Sequence, residues 1–173
     1  SSAGGPRTSE GTENHILKFT RSGRFLLQIG RRGQAIGSLD TANLNNAADI
    51  YVYPETNEVF VADGYNNRRV IVFDADTGEF KRFWGAYGNR PDDSAPRAPV
   101  TEGPGPQQFN LVHGLRVSDD GLVYVADRRN NRVQVFTTEG TFQEEIFIAR
   151  QTSGGLGTAF AIGFSPDAQQ QFM

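Results

Sequence analysis

The chain contains no cysteine, one methionine, one tryptophan and two histidines in 173 residues. The lack of cysteine excludes disulfides and thiolate metal sites, and by itself says nothing of compartment. No apolar run approaches the roughly 20 residues that a membrane span needs, and the N-terminus has no hydrophobic signal segment. The chain therefore reads as soluble and without a membrane partner. It opens with Ser-Ser-Ala-Gly-Gly rather than Met, as an excised piece or an exported protein with its signal removed would. Lys and Arg number 17 against 20 Asp and Glu, a net charge of -3. Such a balance supplies no global field for nucleic acid or an anionic surface, so anion binding has to come from local clusters. A 3.6-residue apolar period sustained over three turns is also missing, which argues against helices.

What is present is glycine (20), phenylalanine (13) and short runs of Val, Ile, Phe and Tyr, the composition of strands and turns. The phrase VADGYNNRRVIVF, 61–73, returns as VADRRNNRVQVF, 125–136. Three passages, starting at Asn14, Asn67 and Asn131, share an alternating strand, a turn glycine (Gly23, Gly78, Gly140), an aromatic (Phe25, Phe80, Phe142) and a second strand. Before the second and third of these, ADIYVYPETNEVFVAD and HGLRVSDDGLVYVAD read as strand, polar turn, strand. Four antiparallel strands in a period of about 40 to 47 residues belong to propeller blades, which bury their faces by stacking on one another. The expected fold is all-β. Residues 1–13 form a flexible N-terminal segment, and 14–173 form a propeller half: with a blade's strands lettered a to d from the ring axis outward, strands c and d of one blade, two full blades, and strands a and b of the next. About three blades per chain imply six in a closed homodimer, since rings usually hold four to eight. A truncated half of a longer six-bladed protein would show the same strands.

The pattern VAD, a short variable stretch, NNR, an alternating V-x-V-F strand and G-x-F resembles the NHL repeat, a family of six-bladed propellers that serve mostly as binding platforms. The resemblance runs from Asn14 to Met173. Over VADGYNNRRVIVF, GPGPQQFNLVHGL and VADRRNNRVQVF it is nearest to the peptidyl-α-hydroxyglycine α-amidating lyases. That resemblance implies zinc held by three histidines near the ring axis and a tyrosine base. His113 falls on one zinc position and Tyr65 on the tyrosine, which makes Tyr65 the catalytic candidate and His113 the metal candidate. The inner strand at NNAADIYVY has no histidine, and His15 sits where the repeat usually has Arg.

Antiparallel connection places the start of strand a and the end of strand b at one edge, so His113, both VAD carboxylates and both NN loops share a face. Residues recurring at matching places, Asp63 with Asp127, Asn67 with Asn131 and Arg68 with Arg132, read as scaffold: a turn acceptor, a left-handed backbone position and a bridging cation. Positions that differ, Tyr65, Arg69, His113, Arg128 and Arg129, form the expected ligand-binding face; His113 aligns with Ala48. The stretch 86–109, holding five of the eight prolines, is expected to be a mobile flap over this face with Asp92 and Asp93 solvated. Phe19, Phe73, Phe83, Trp84 and Phe136 read as blade packing rather than a stacking platform. Functionally the sequence points to a binding or interaction module whose ligand it does not name, with a peptide or protein as candidate. A zinc-dependent amidating-lyase-like enzyme is the alternative, and RNA binding on the arginine-bearing face is the third reading, against which the net charge weighs.

Overall fold

A computed structural model describes residues 14–97, 102–152, 155–167, 169–170 and 173. The expected flexible segment 1–13 lies outside the described residues. The fold is all-β: β1 (Ile16–Phe19) and β2 (Phe25–Ile29) form a two-stranded sheet. A four-stranded sheet follows in the order β3 (Asp49–Tyr53), β4 (Glu58–Asp63), β5 (Arg69–Asp74), β6 (Phe80–Trp84). A second runs β7 (Val112–Val117), β8 (Leu122–Asp127), β9 (Arg132–Thr137), β10 (Phe142–Phe147). All neighbouring pairs are antiparallel. The only helical pieces among the described residues are single 3-10 turns, Ala86–Gly88 and Arg128–Asn130, and no helix is long and apolar enough to cross a membrane.

The runs VFVA in β4 and VIVF in β5 do not alternate with polar residues because both faces of this sheet are covered. Val59, Val61, Ile71 and Phe73 pack with Ile16, Leu27 and Ile29 of the two-stranded sheet. Their alternates Phe60, Ala62, Val70 and Val72, with Trp84, pack against Val112, Leu115, Val117, Val123, Val125 and Phe136 of the second four-stranded sheet. Period-two alternation thus divides one strand between two separate cores, as stacked blades require. Phe73, Trp84 and Phe136 are buried as expected, whereas Phe19, with Leu17, Phe25 and Leu26, lies exposed on β1 and β2.

Polar bridges join the two large sheets: Arg116 Nη1 donates to Asp49 Oδ2 at 2.7 Å, and Arg82 Nε to Thr138 O at 2.8 Å. The expected strands a and b of a next blade, over 160–173, are not formed among the described residues. Instead Ala159 and Ile162 insert side chains against Ala126 and Val133, and the Phe164 ring meets Tyr124 edge-on at 5.1 Å. Among the described residues of this segment, side-chain packing on β8 and β9 is joined by hydrogen bonds from His113 Nδ1 to Phe160 O and from Asp119 N to Gln170 Oε1 rather than by a strand ladder.

Glu58, buried at the start of β4, takes two 2.7 Å hydrogen bonds from Arg82 and one from Thr56, with the Lys81 ammonium at 2.5 Å. The Arg82 bonds first, then those of Lys81 and Thr56, outweigh desolvation and hold its pKa at about 2, below the ordinary 4.5. Because the folded value is depressed, this stabilisation is complete above about pH 4.5 and is lost as the pH falls toward 2. Allowing for solvent screening at Lys81, it is worth on the order of 2–3 kcal/mol. Urea unfolding of Glu58→Gln should show a loss of that order at pH 7 and a flatter stability profile than the parent between pH 5 and pH 2.5, pH values chosen to span about this titration; parallel profiles would remove Glu58 as the acid-sensitive link.

Candidate functional site

Each large sheet closes its inner loop around a buried carboxylate. Asp63 Oδ1 accepts from Asn45 N at 2.9 Å, and Oδ2 accepts from Asn67 Nδ2 at 2.7 Å and Arg69 Nε at 2.9 Å. In the second sheet Asp127 does the same with Asn110 N, Asn130 Nδ2 and Arg132 Nε, at 2.7, 2.7 and 2.8 Å. Both arginines then donate to the incoming loop, Arg69 to the carbonyls of Ser38, Asp40 and Asn43, and Arg132 to that of Pro106. Strand register agrees, pairing Asp63 with Arg69 and Asp127 with Arg132. Against the desolvation that burial imposes, the Asp127 carboxylate raises the pKa of Arg132 above its ordinary value.

This geometry corrects the repeat alignment. The residue matching Arg132 is Arg69, and the one matching Asn67 is Asn130; the first loop is one residue longer, 64–68 against 128–131. Arg69 therefore does not belong to the ligand-binding face: it is fully buried and committed to Asp63 and three carbonyls. Arg68 is not the repeat cation: it matches Asn131, and its Nη2 donates to Ala95 O at 2.5 Å. Asn131 does adopt left-handed backbone, φ 54°, and its amide donates to Arg150 O and Thr152 O.

Three of the expected face residues meet. In β7, half-buried His113 places Nδ1 2.7 Å from Phe160 O, and a carbonyl can only accept, so Nδ1 carries hydrogen. In the neutral imidazole Nε2 is then the acceptor, and Tyr65 Oη donates to it at 3.2 Å. The Tyr65 and Phe160 rings stand edge-on to the imidazole, at 5.7 and 5.6 Å, and Arg128 lays its guanidinium over Phe160 at 4.0 Å. Arg128 Nε is buried without a partner, whereas Tyr65 is 44 % exposed. Arg129 is exposed beside it.

Gly64 explains why the two loops differ. A Cβ there would lie 2.1 Å from Val112 O, so the first loop runs under the next inner strand and admits only glycine. The second loop has no counterpart of Gly64: Tyr65 N and Arg128 N donate to matching carbonyls, Asn46 O and Leu111 O, and the chain above Arg128 is Phe160. Phe160 is the member of this group that motif reading missed. Its signal was present: FAIGF, 160–164, aligns with HGLRV, 113–117, setting Phe160 on His113 and Ala48.

The stretch after β6 is fastened over the described residues. Asp93 accepts from Ser38 N at 2.8 Å and from its hydroxyl at 2.5 Å, and Asp92 accepts from Ser94. Both carboxylates are exposed, yet each has a defined partner rather than water alone. Part of the expected flap, 98–101, lies outside the described residues.

Among the described residues no group of three His, Cys, Asp or Glu side chains could hold a metal ion. Both His113 nitrogens are engaged, and the Nε2 lone pair that a metal would take receives the Tyr65 hydroxyl. These residues alone do not fit a zinc site, which needs three or four protein ligands.

Residues 109–136 match the family model for the NHL repeat. The chain is similar to peptidyl-glycine alpha-amidating monooxygenase A of Xenopus laevis, 36% identical over 82% of this chain and 13% of that protein. It is also similar to NHL repeat-containing protein 3 of Homo sapiens, 30% identical over 70% of this chain and 30% of that protein. A third relative is the probable peptidyl-alpha-hydroxyglycine alpha-amidating lyase pgal-1 of Caenorhabditis elegans, 32% identical over 80% of this chain and 36% of that protein. The chain thus spans little more than a third, at most, of the relatives named here.

The two arginine roles predict opposite outcomes in urea unfolding. Arg69→Gln, which leaves Asp63 buried and unpaired, should cost about 3–5 kcal/mol. Tyr65→Phe, which removes one exposed hydroxyl, should cost about 1 kcal/mol or less. Equal losses would contradict the assignment of Arg69 to the scaffold and Tyr65 to the face.

Proposed function

We propose that this NHL-repeat protein is a binding module whose peptide ligand docks on the blade edge where Tyr65, His113 and Arg128 meet. The observation that carries this reading is the hydrogen-bond chain from the Tyr65 hydroxyl through His113 to Phe160 O, flanked by the unpartnered Nε of Arg128. Exposed faces of Tyr65 and Phe160 offer apolar area, and Arg128 offers a charge-assisted donor to a peptide carbonyl or terminal carboxylate. The relatives named for peptidyl substrates support a peptide over other ligands.

The lyase reading is favoured by the direct contact of Tyr65 with His113, the two residues that the resemblance marks for chemistry. Zinc, when bound in such a site, supplies Lewis-acid polarisation and lowers the pKa of a coordinated hydroxyl. The described residues provide a single histidine toward it, so no step is derived through the metal.

A fluorescent tripeptide ending in α-hydroxyglycine tests both readings by anisotropy and by assay of released glyoxylate. Binding that weakens about tenfold in Arg128→Gln and measurably in Tyr65→Phe supports the binding face. Undiminished binding in both variants overturns it, and glyoxylate release that depends on added zinc and on His113 would establish the enzyme reading instead.

The ring in which this edge operates is proposed to close as a homodimer. The exposed side chains of Leu17, Phe19, Phe25 and Leu26 on β1 and β2 support this, because they form an apolar face of the kind that blades bury against each other. Light scattering at micromolar concentration should give twice the chain mass; a monomer would exclude closure by a second copy.

A further inference from the structure

A cleft of about 820 Å3 opens between the two-stranded sheet and the first four-stranded sheet, and it shares no residue with the Tyr65–His113 edge. The end of β2, the loop that leads to β3 and the turn between β5 and β6 supply its walls. Two of its lining residues, Ile29 and Phe73, are buried and give it an apolar floor. Phe80 is 38 % exposed. Its ring centroid lies 6.3 Å from that of Phe73 and 5.9 Å from that of Phe83, so the ring is held in place while part of it stays open.

The rim is polar. Arg31, Gln34 and Thr41 are exposed, and none of their side chains has a hydrogen-bond or ion-pair partner among the described residues. Asn43 fixes the backbone that carries them: its Oδ1 accepts from Arg31 N at 3.0 Å, and its Nδ2 donates to Asp40 Oδ2 at 3.1 Å. Its carbonyl takes Arg69 Nη2 at 2.7 Å, so the rim hangs on the buried Asp63–Arg69 pair and is prepared before any ligand arrives. No Asp or Glu is among the described lining residues. Asp40 is 7 % exposed, and its oxygens accept from Ile36 N, Ala42 N and Asn43. Glu79, between Gly78 and Phe80, does not line the cleft. From Asn14 to Leu39 the chain has no acidic residue but carries Lys18, Arg21, Arg24, Arg31 and Arg32, a local positive field in a chain of net charge -3.

We infer that this cleft binds an acidic sugar, a uronic-acid unit of a short oligosaccharide. The Phe80 ring offers a flat apolar surface for the C–H face of a pyranose. The Gln34 amide and the Thr41 hydroxyl supply donors and acceptors together, which sugar hydroxyls need, and the Arg31 fork matches the two oxygens of a carboxylate. A metal ion, a free amino acid or a peptide N-terminus would require a carboxylate in the lining. A phosphate dianion would be left half neutralised by one guanidinium. The volume falls in the roughly 300–1,000 Å3 range of small-molecule sites and has room for a disaccharide.

Ligand-observed NMR titration tests this with a disaccharide carrying one glucuronate, the disaccharide with glucose in that place, and benzoate, which keeps a ring and a carboxylate without hydroxyls. The acidic disaccharide should bind at least about tenfold tighter than the neutral one, and tighter than benzoate. Arg31→Gln should remove the preference for the acid, and Thr41→Val should weaken its binding about fivefold. Both positions are exposed, so urea unfolding of the two variants should match the parent. Absence of binding, equal binding of the two sugars, tighter binding of benzoate, or binding unchanged in Arg31→Gln would each overturn the proposal. Arg128→Gln should leave sugar binding as it is, which separates this site from the peptide-binding reading. A loss in Arg128→Gln with none in Arg31→Gln would move the sugar to the Tyr65–His113 edge and overturn the proposal as well.

Discussion

A carboxylate sealed inside each blade is the constraint on which the rest of the structure depends. Asp63 and Asp127 are fully buried, and each is bonded to an arginine, an asparagine amide and a backbone amide from the loop that enters the blade. An ion pair this deep is weak evidence for stability in itself, because desolvation offsets much of its attraction. Its effect is geometric. The arginine fork also binds carbonyls of the incoming chain, so the position where the inner strand begins is set by the same group that ends the second strand.

From that fixed edge the candidate site follows. His113 begins an inner strand, Tyr65 projects from the loop of the preceding sheet, and the contact between them spans two sheets whose separation is set by the Phe60–Leu115 core. Gly64 lets the first loop pass beneath Val112, and without that clearance Tyr65 would not reach the imidazole.

Much of this was legible in the chain. Turn glycines, alternating strands and the repeated phrase led to four-stranded antiparallel sheets, and Tyr65, His113 and Arg128 were marked because they broke the repeat. The arginines were harder. Arg68 and Arg69 are adjacent and chemically identical, and only the ladder shows that Arg69 lies opposite Asp63. Asn130 and Asn131 posed the same ambiguity, one bonding the carboxylate and the other turning the backbone. Phe160 was overlooked because a phenylalanine in an apolar run carries no chemical signal until its carbonyl is found on His113.

The sequence by itself determined the repeating unit, since local alternation and turn residues need no distant partner to specify a strand, and it determined which loop positions depart from the repeat. Only the tertiary structure decided which of the two adjacent arginines, Arg68 or Arg69, bonds the buried carboxylate, because a one-residue difference in loop length shifts the pairing of every later residue. It also decided that the Tyr65 hydroxyl meets His113, 48 positions away in the chain. No local pattern can report a distance that the packing of blades creates.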